Sequence, residues 1–437
     1  MKKLFTMMMV CVLLMLVLPV KAATDVNVLD PTALFLPDIM DVWFESDVLF
    51  PGEGNLMALP SVLPFNADLV NVEQVPNDGT NVYVAVLDTG LLPEWPFFLS
   101  QADIAVEYGI GFTHDIYWDD IIGDIVIGPL RDDRGFITDL ASGHGTHVTS
   151  TIVGFNVNNL YWVDGVAPKV TIIPVLVLDA WEVVAPGGVA QLSGGTDEMV
   201  AAGIRYIADL APELDAPVVI NMSLGGPDRT TIIEEAIDYA VSMGIVVVAS
   251  AGNEGEAGMG YPGGMEQVIS AGAGGWADMF NFGWRADVPE KINKKDTLGN
   301  NWQIYLEDFS SRPNIDLDQK HQDLDVTAPG AWIVGPYSPA FSPSVGYYYV
   351  SGTSMAAPHV SAMAALLLQS YPEVKQFQIE SILEVAAAGV PLPASDAMVA
   401  YPFAEPYYYL SSWDGGDYGS GFLLADNLLK AAGSKIK

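Results

Sequence analysis

Short, nearly continuous apolar runs alternate along the middle of the chain with segments whose apolar residues recur at helical spacing. Val82 to Leu87 is one such run and ends in the turn signal Asp88-Thr89-Gly90. Val170 to Leu178, Pro217 to Met222 and Ile245 to Ala249 are others. Between the second and third, Thr196 is placed to cap a helix whose first turn carries Asp197 and Glu198, acids that suit the positive end of the helix dipole. Between the third and fourth, Thr231-Ile232-Ile233-Glu234 reads as a capping box and Gly244 as the helix stop. Strands that are apolar at every position are expected to be buried on both faces. Strand–helix–strand succession of this kind predicts an α/β fold: three layers, with helices on both sides of a mostly parallel central sheet. Ligands of such sheets gather at the carboxyl ends of the strands, where the polar turns of this chain fall.

Three stretches lack this rhythm. Residues 24 to about 75 are rich in Pro, Asn and Asp. Residues 91–140 hold a run of acids: Asp115, Asp119, Asp120, Asp124, Asp132, Asp133 and Asp139. Residues 275–322 mix Trp, Lys and Asn. The last two are expected as long loops or insertions. The start of the chain differs again. Lys2 and Lys3, an apolar run from Leu4 to Val20 and the exit Val20-Lys21-Ala22 have the pattern of a secretory signal peptide. The run is short for a bilayer span, and no other stretch is apolar for long enough, so no membrane insertion is expected once the leader is removed. The expected organisation is a signal peptide over 1–22, an N-terminal extension or reduced propeptide over 23–59, and one large domain over 60–437 carrying the two insertions.

The single cysteine, Cys11, lies in the leader, so the exported protein is expected to have no disulfide, no thiolate metal site and no cysteine nucleophile. Its stability must come from its core. Half the residues are hydrophobic and only 16% charged, which excludes disorder as the explanation of its acidity. Lys and Arg number 18 against 54 Asp and Glu, a net charge of −36, and losing Lys2, Lys3 and Lys21 makes it more negative still. That charge excludes nucleic acid and anionic membrane as partners.

Peptide hydrolysis through a covalent intermediate needs a nucleophile, a base, a group that orients the base, and donors for the oxyanion. Ser354, in Gly352-Thr353-Ser354-Met355-Ala356-Ala357-Pro358-His359, is followed by the apolar helix pattern Val360, Met363, Ala364, Leu366 and Leu367. It therefore sits at a helix start, where free N–H groups favour negative charge; Pro358 is expected within the first turn, where proline is tolerated. His144 lies between Gly143 and Gly145, which leaves its ring room to face a cleft. Asp88 ends a buried strand, and Asn253 follows another in Ala251-Gly252-Asn253. Each reads alone as something plainer: a helix N-cap, a core histidine, a turn-forming Asp, a loop Asn. His114, His147, His321 and His359 fit the plain reading.

Taken together, and in the order Asp, His, Asn, Ser, these segments resemble the subtilases, the subtilisin-like serine proteases. Val86-Leu87-Asp88-Thr89-Gly90 resembles the family's aspartate motif, His144-Gly145-Thr146-His147-Val148 its histidine motif, and Gly352 to Val360 its serine motif. Gly165 to Pro168, Asn221 to Gly226 and Tyr418 to Phe422 are also similar to family segments. The resemblance implies a subtilisin-like fold and a secreted serine endopeptidase acting on protein or peptide substrates with no cofactor required for the chemistry. It implies Ser354 as nucleophile, His144 as general base, Asp88 as its orienter and Asn253 as oxyanion donor. It further implies that Ser223, Leu224 and Gly225 pair with substrate backbone, and that Ala249, Ser250, Ala251 and Gly252 line a roomy pocket for the side chain before the cut.

The chain departs from the family pattern in places. Thr149 and Ser150 stand for the usual Ala-Gly after the histidine motif, Ala362 for a usual Gly, and Phe309 to Asn314 lacks the usual Gly after the arginine. The stretch from Ala23 to residue 60 is short for the family's inhibitory prodomain. The acids of 91–140 could supply hard oxygen ligands to structural calcium, although their spacing fits no calcium motif. A catalytically silent scaffold is the alternative from another class; the full set Asp88, His144, Asn253 and Ser354 argues against it. His144 and Asn253 likewise argue against acid-active relatives with Glu and Asp at those places.

Overall fold

The computed structural model describes residues 60–285, 288, 303–392, 395–401 and 408–436, and the backbone of two strands nearer the start. The expected signal peptide at 1–22 lies outside the described residues. In chain order, the two early strands are β1 (Leu36–Pro37) and β2 (Asp41–Asp47). Next come β3 (Tyr83–Asp88), β4 (Ile110–Gly111), β5 (Thr113–Asp119), β6 (Asp124–Arg131), α1 (His144–Val153), β7 (Thr171–Leu176), β8 (Asp179–Ala185) and β9 (Gly188–Gly194). Then follow α2 (Asp197–Leu214), β10 (Val218–Met222), β11 (Leu224–Gly225), α3 (Thr231–Ser242), β12 (Val246–Ser250), β13 (Ile269–Trp276) and β14 (Ile304–Leu306). The site is completed by β15 (Val326–Pro329), β16 (Ile333–Tyr337), β17 (Gly346–Ser351), α4 (Thr353–Ser370) and α5 (Gln376–Ala387).

Among the described residues the central sheet has eight strands, in the order β14-β13-β12-β10-β3-β7-β4 with β15 also on β13. Every pairing is parallel except β13 with β14. The predicted three-layer α/β/α fold is thus the observed one. The continuous apolar runs face two ways. Val84, Val86, Val219, Val246 and Val248 join a core that includes α1 and α4. Ala85, Leu87, Ile220, Val247 and Ala249 join a second core with α2 and α3. Successive side chains of a strand point to opposite faces, so a strand with a helix layer on each side must be apolar throughout. Helix α4 is buried along Thr353–Leu368, as a helix enclosed by protein must be.

Several local expectations are corrected. Helix α3 does start at Thr231, but its N-cap is Thr230, which puts Ile233 at the third helical position and Glu234 one place too late for a capping box; the Glu234 carboxylate pairs instead with Arg229 at 2.5 Å. The insertion at 91–140 holds a β-hairpin, β5–β6, rather than only loop. Within 275–322, β14 adds an antiparallel edge to the sheet, while residues 289–302 lie outside the described ones. A hairpin not foreseen, β8–β9, stands between β7 and α2. Its flank Trp181-Glu182-Val183 and the turn Pro186-Gly187 carry a hairpin signature that could have revealed it. Val183 and Leu192 of this hairpin pack with Ile116, Trp118, Ile125 and Ile127 of the other in a small separate cluster. Pro358 lies beyond the first turn, since α4 begins at Thr353.

Candidate active site

Parallel register brings Asp88 at the end of β3, Ser223 just past β10 and Asn253 just past β12 to one edge of the sheet. Asp88 and His144 meet there. His144 Nδ1 lies 2.8 Å from Asp88 Oδ1 and 3.0 Å from Oδ2, and both side chains have 0% exposure. Thr89 builds this pair. Its N–H donates to Asp88 Oδ1 at 2.6 Å, and its hydroxyl donates to Ser142 O at 2.8 Å and accepts from Gly145 N–H at 2.9 Å. One threonine therefore holds the carboxylate and both sides of the histidine turn. Gly145 is required for the approach, because a Cβ there would run into the Gly90 carbonyl oxygen and stand 3.2 Å from Asp88 Cβ. With Nδ1 committed to the carboxylate, His144 Nε2 is the nitrogen left to act, and it is buried without a hydrogen-bond partner.

Ser354 stands in the first turn of α4, with 0% exposure. Its hydroxyl donates to Ser223 O at 2.9 Å and not to His144. In return Ser223 Oγ donates to Ser354 O at 2.8 Å. Pro358 explains the second bond. It has no N–H to give the carbonyl four residues back, so Ser223 supplies the missing donor. Asn221 Nδ2 donates to Ser223 Oγ at 3.0 Å, and Ser361 Oγ to Asn221 Oδ1 at 2.8 Å, so the chain of donors returns to α4.

Asn253 is oriented by Thr353, whose N–H donates to Asn253 Oδ1 at 3.0 Å and whose hydroxyl lies 3.2 Å from the same atom. A backbone N–H can only donate, so the amide oxygen faces Thr353 and Nδ2 points elsewhere. Gly252 N–H donates to Thr353 Oγ1 at 3.1 Å. Sequence reasoning missed Thr89 and Thr353 as positioning residues, although each stands beside a motif residue.

Leu224 and Gly225 form β11, and Ser223 precedes it. Ala249, Ser250 and Ala251 are buried, and Ser250 Oγ reaches Leu224 O at 3.3 Å, tying the end of β12 to β11. Gly252 has φ +104°, a conformation that favours glycine.

The other histidines of the motifs are structural. His147 Nε2 lies 3.1 Å from Ile333 O; burial, and then the nearby His144, lower its pKa to about 3. His359 bonds Met355 O at 2.7 Å and Asn66 at 2.9 Å, and burial lowers its pKa to about 4. Both stay neutral at ordinary pH. In the acidic insertion, Arg131 pairs with Asp115 and Asp133, and Arg134 with Asp139 and Asp179. Among the described residues no group of three or more His, Cys, Asp or Glu side chains could hold a metal ion, so the suggested calcium site has no support there. Among them, too, no helix is long and apolar enough to cross a membrane.

The profile of the Subtilase family matches residues 79–403. The chain is 30% identical to subtilisin DY of Bacillus licheniformis over 335 residues, 75% of this chain and 92% of that protein. It is 32% identical to a subtilisin of Bacillus pumilus over 71% of this chain and 84% of that one. Against subtilisin E of Bacillus subtilis, 31% identity spans 61% of the relative's length. Among solved structures, S41 psychrophilic protease superposes with a TM-score of 0.55 at 25% identity, over 84% of this chain and 99% of that one. With a profile match across most of its length and relatives at this identity, the chain belongs to the subtilase family and is a subtilisin-like serine endopeptidase.

Proposed function

We propose that this chain cleaves polypeptides through an acyl-enzyme on Ser354, with His144 as general base, Asp88 as its orienter, and the Asn253 amide and Ser354 N–H as oxyanion donors. The observation that carries the reading is the fully buried Asp88–His144 pair, whose free Nε2 has no other partner. In the reacting state the Ser354 hydroxyl turns from Ser223 O to Nε2 and gives up its proton as Oγ attacks the substrate carbonyl. Asp88 stays ionised and stabilises the imidazolium. The carbonyl oxygen, now negative, accepts from Asn253 Nδ2 and Ser354 N–H. Collapse breaks the C–N bond, and His144 passes its proton to the leaving amine. Water, deprotonated by His144, then releases the acyl group. These groups complete the chemistry without a cofactor. Ser223 to Gly225 and Ala249 to Gly252 serve as substrate strand and side-chain pocket. The leader pattern at 1–22 supports secretion, with removal after Ala22.

A serine-directed fluorophosphonate tests the assignment. The folded protein is expected to take one label, located on Ser354, and Ser354→Ala none. No label at any pH, or undiminished labelling of the variant, would overturn it.

A further inference from the structure

Asn253 can serve an oxyanion only if its Nδ2 points one way, and Thr353 holds just the far end of that side chain. The turn that carries Asn253 is held separately by Phe309-Ser310-Ser311-Arg312, a segment between β14 and β15. Gly252 O accepts from Ser311 N–H at 2.9 Å, Gly255 N–H donates to Phe309 O at 2.8 Å, and Arg312 N–H donates to Gly255 O at 3.0 Å. Within this frame Glu254 folds back along the turn. Asn253 N–H donates to Glu254 Oε2 at 2.8 Å, and the Ser311 hydroxyl donates to the same oxygen at 3.0 Å. Ser311 Oγ in turn accepts from Glu254 N–H at 3.0 Å. The clamp closes against Gly252, where a Cβ would stand 2.5 Å from Glu254 Oε2 and 2.9 Å from Ser311 Oγ. Both peptide units that meet at the Asn253 α-carbon are therefore fixed, the first through Gly252 O and Asn253 N–H, the second through Glu254 N–H. Only two soft dihedrals lie between such planes, so fixing the planes sets the direction of the Cα–Cβ bond. With Oδ1 bound to Thr353, Nδ2 keeps a single direction.

We propose that Ser311 and Glu254 are positioning residues for the oxyanion donor, acting on the transition state through Asn253. This inference rests on Asn253 as that donor. Glu254 is exposed and Ser311 has 0% exposure, so a surface carboxylate is drawn inward to a buried hydroxyl. Hydrogen bonds to a carboxylate are of the stronger class, which suits a clamp. The clamp is also anchored at depth. Ser310 Oγ accepts from Ala273 N–H of β13 at 2.9 Å, and the buried Arg312 lies 3.5 Å from both Glu256 and Asp417. Pro313 confines Arg312 to extended backbone, which a glycine at that place would not do. The departure from the family pattern after Arg312 thus stiffens the segment that steadies the turn of Asn253.

Steady-state kinetics on the full chain tests this, with Asn253→Leu as the second arm of a double-mutant cycle. Ser311→Ala and Glu254→Ala are each expected to lower kcat about tenfold with KM little changed, less than loss of the donor itself, because the amide is misdirected rather than absent. Glu254→Gln keeps an oxygen able to accept both bonds and is expected to recover most of what Glu254→Ala loses. On the Asn253→Leu background neither alanine is expected to lower kcat further, since no amide is left to direct. Glu254 is exposed, so its variants carry the test should Ser311→Ala fail to fold. No loss in the alanine variants, losses of equal size with and without Asn253, or effects confined to KM would overturn the positioning role alone. An Asn253→Leu protein with undiminished kcat would instead overturn the oxyanion assignment on which it rests.

Discussion

Ser223 and Ser354 are joined twice: the Ser223 hydroxyl donates to the Ser354 carbonyl at 2.8 Å, and the Ser354 hydroxyl donates to the Ser223 carbonyl at 2.9 Å. The first bond stands in for the one Pro358 cannot make. Ser223→Ala is therefore expected to leave a buried carbonyl unsatisfied and to cost about 1–3 kcal/mol in denaturant unfolding. Adding Pro358→Ala restores the helix N–H and should recover much of that loss. Equal costs of Ser223→Ala with Pro358 and with Ala at that position would show that the serine does not replace the proline's missing donor.

Asn253→Leu removes the amide but keeps a side chain of similar size. Loss of one oxyanion donor costs about 100- to 1,000-fold in kcat, a figure that comes from a subtilisin. A loss of that order with KM little changed is expected here. An effect confined to KM would place Asn253 in ground-state binding instead.

Gly145→Ala sets a methyl group against the Gly90 carbonyl, between the aspartate and histidine turns. Backbone must move to admit it, at a cost of about 1–3 kcal/mol. Because the displaced turns hold Asp88 and His144, kcat should fall even where the variant remains folded. Wild-type turnover at steady state would contradict the packing described.

Stability should decline as pH rises across the weakly acidic range. Burial, then Glu384 and Glu266, raise the Glu380 pKa from its ordinary 4.5 to about 7. Asp325 is raised too, chiefly by burial, against the Ser270 N–H that lowers it. The folded state thus holds protons that the unfolded state has already lost. The resulting stability is fully present below pH of about 4.5 and is lost as pH rises through about 7. Melting temperature measured from pH 4.5 to 7.5 should fall, and Glu380→Gln should flatten the slope. An unchanged slope in that variant would remove Glu380 from the account.

Much of this was legible in the sequence because the chemistry makes local demands. Asp88, His144, Asn253 and Ser354 stand beside glycines or at element ends, and the nearly continuous apolar runs required a layer on each face. What was not legible depends on partners far along the chain. The hydroxyl of Ser223 matters because of Pro358, and Thr89 because of Ser142 and Gly145. Thr231 to Glu234 met the local rule for a capping box, yet the helix is capped one residue earlier, at Thr230, and Glu234 pairs with Arg229. The pairing of Arg131 with Asp115 and Asp133, and of Arg134 with Asp139, was likewise not legible in the run of acids alone. The hairpin β8–β9 was readable from its own alternation and turn.

The division of the apolar core by the sheet separates two kinds of change. Both helices that carry His144 and Ser354 belong to the layer on one side, while α2 and α3 form the layer on the other. Substitutions among Ile204, Ile207, Ile233 and Ile237 can therefore tune heat or cold tolerance at a distance from the reacting groups. That layer bears neither His144 nor Ser354, and it meets the candidate site only through Leu224 and Ala249, which share its core.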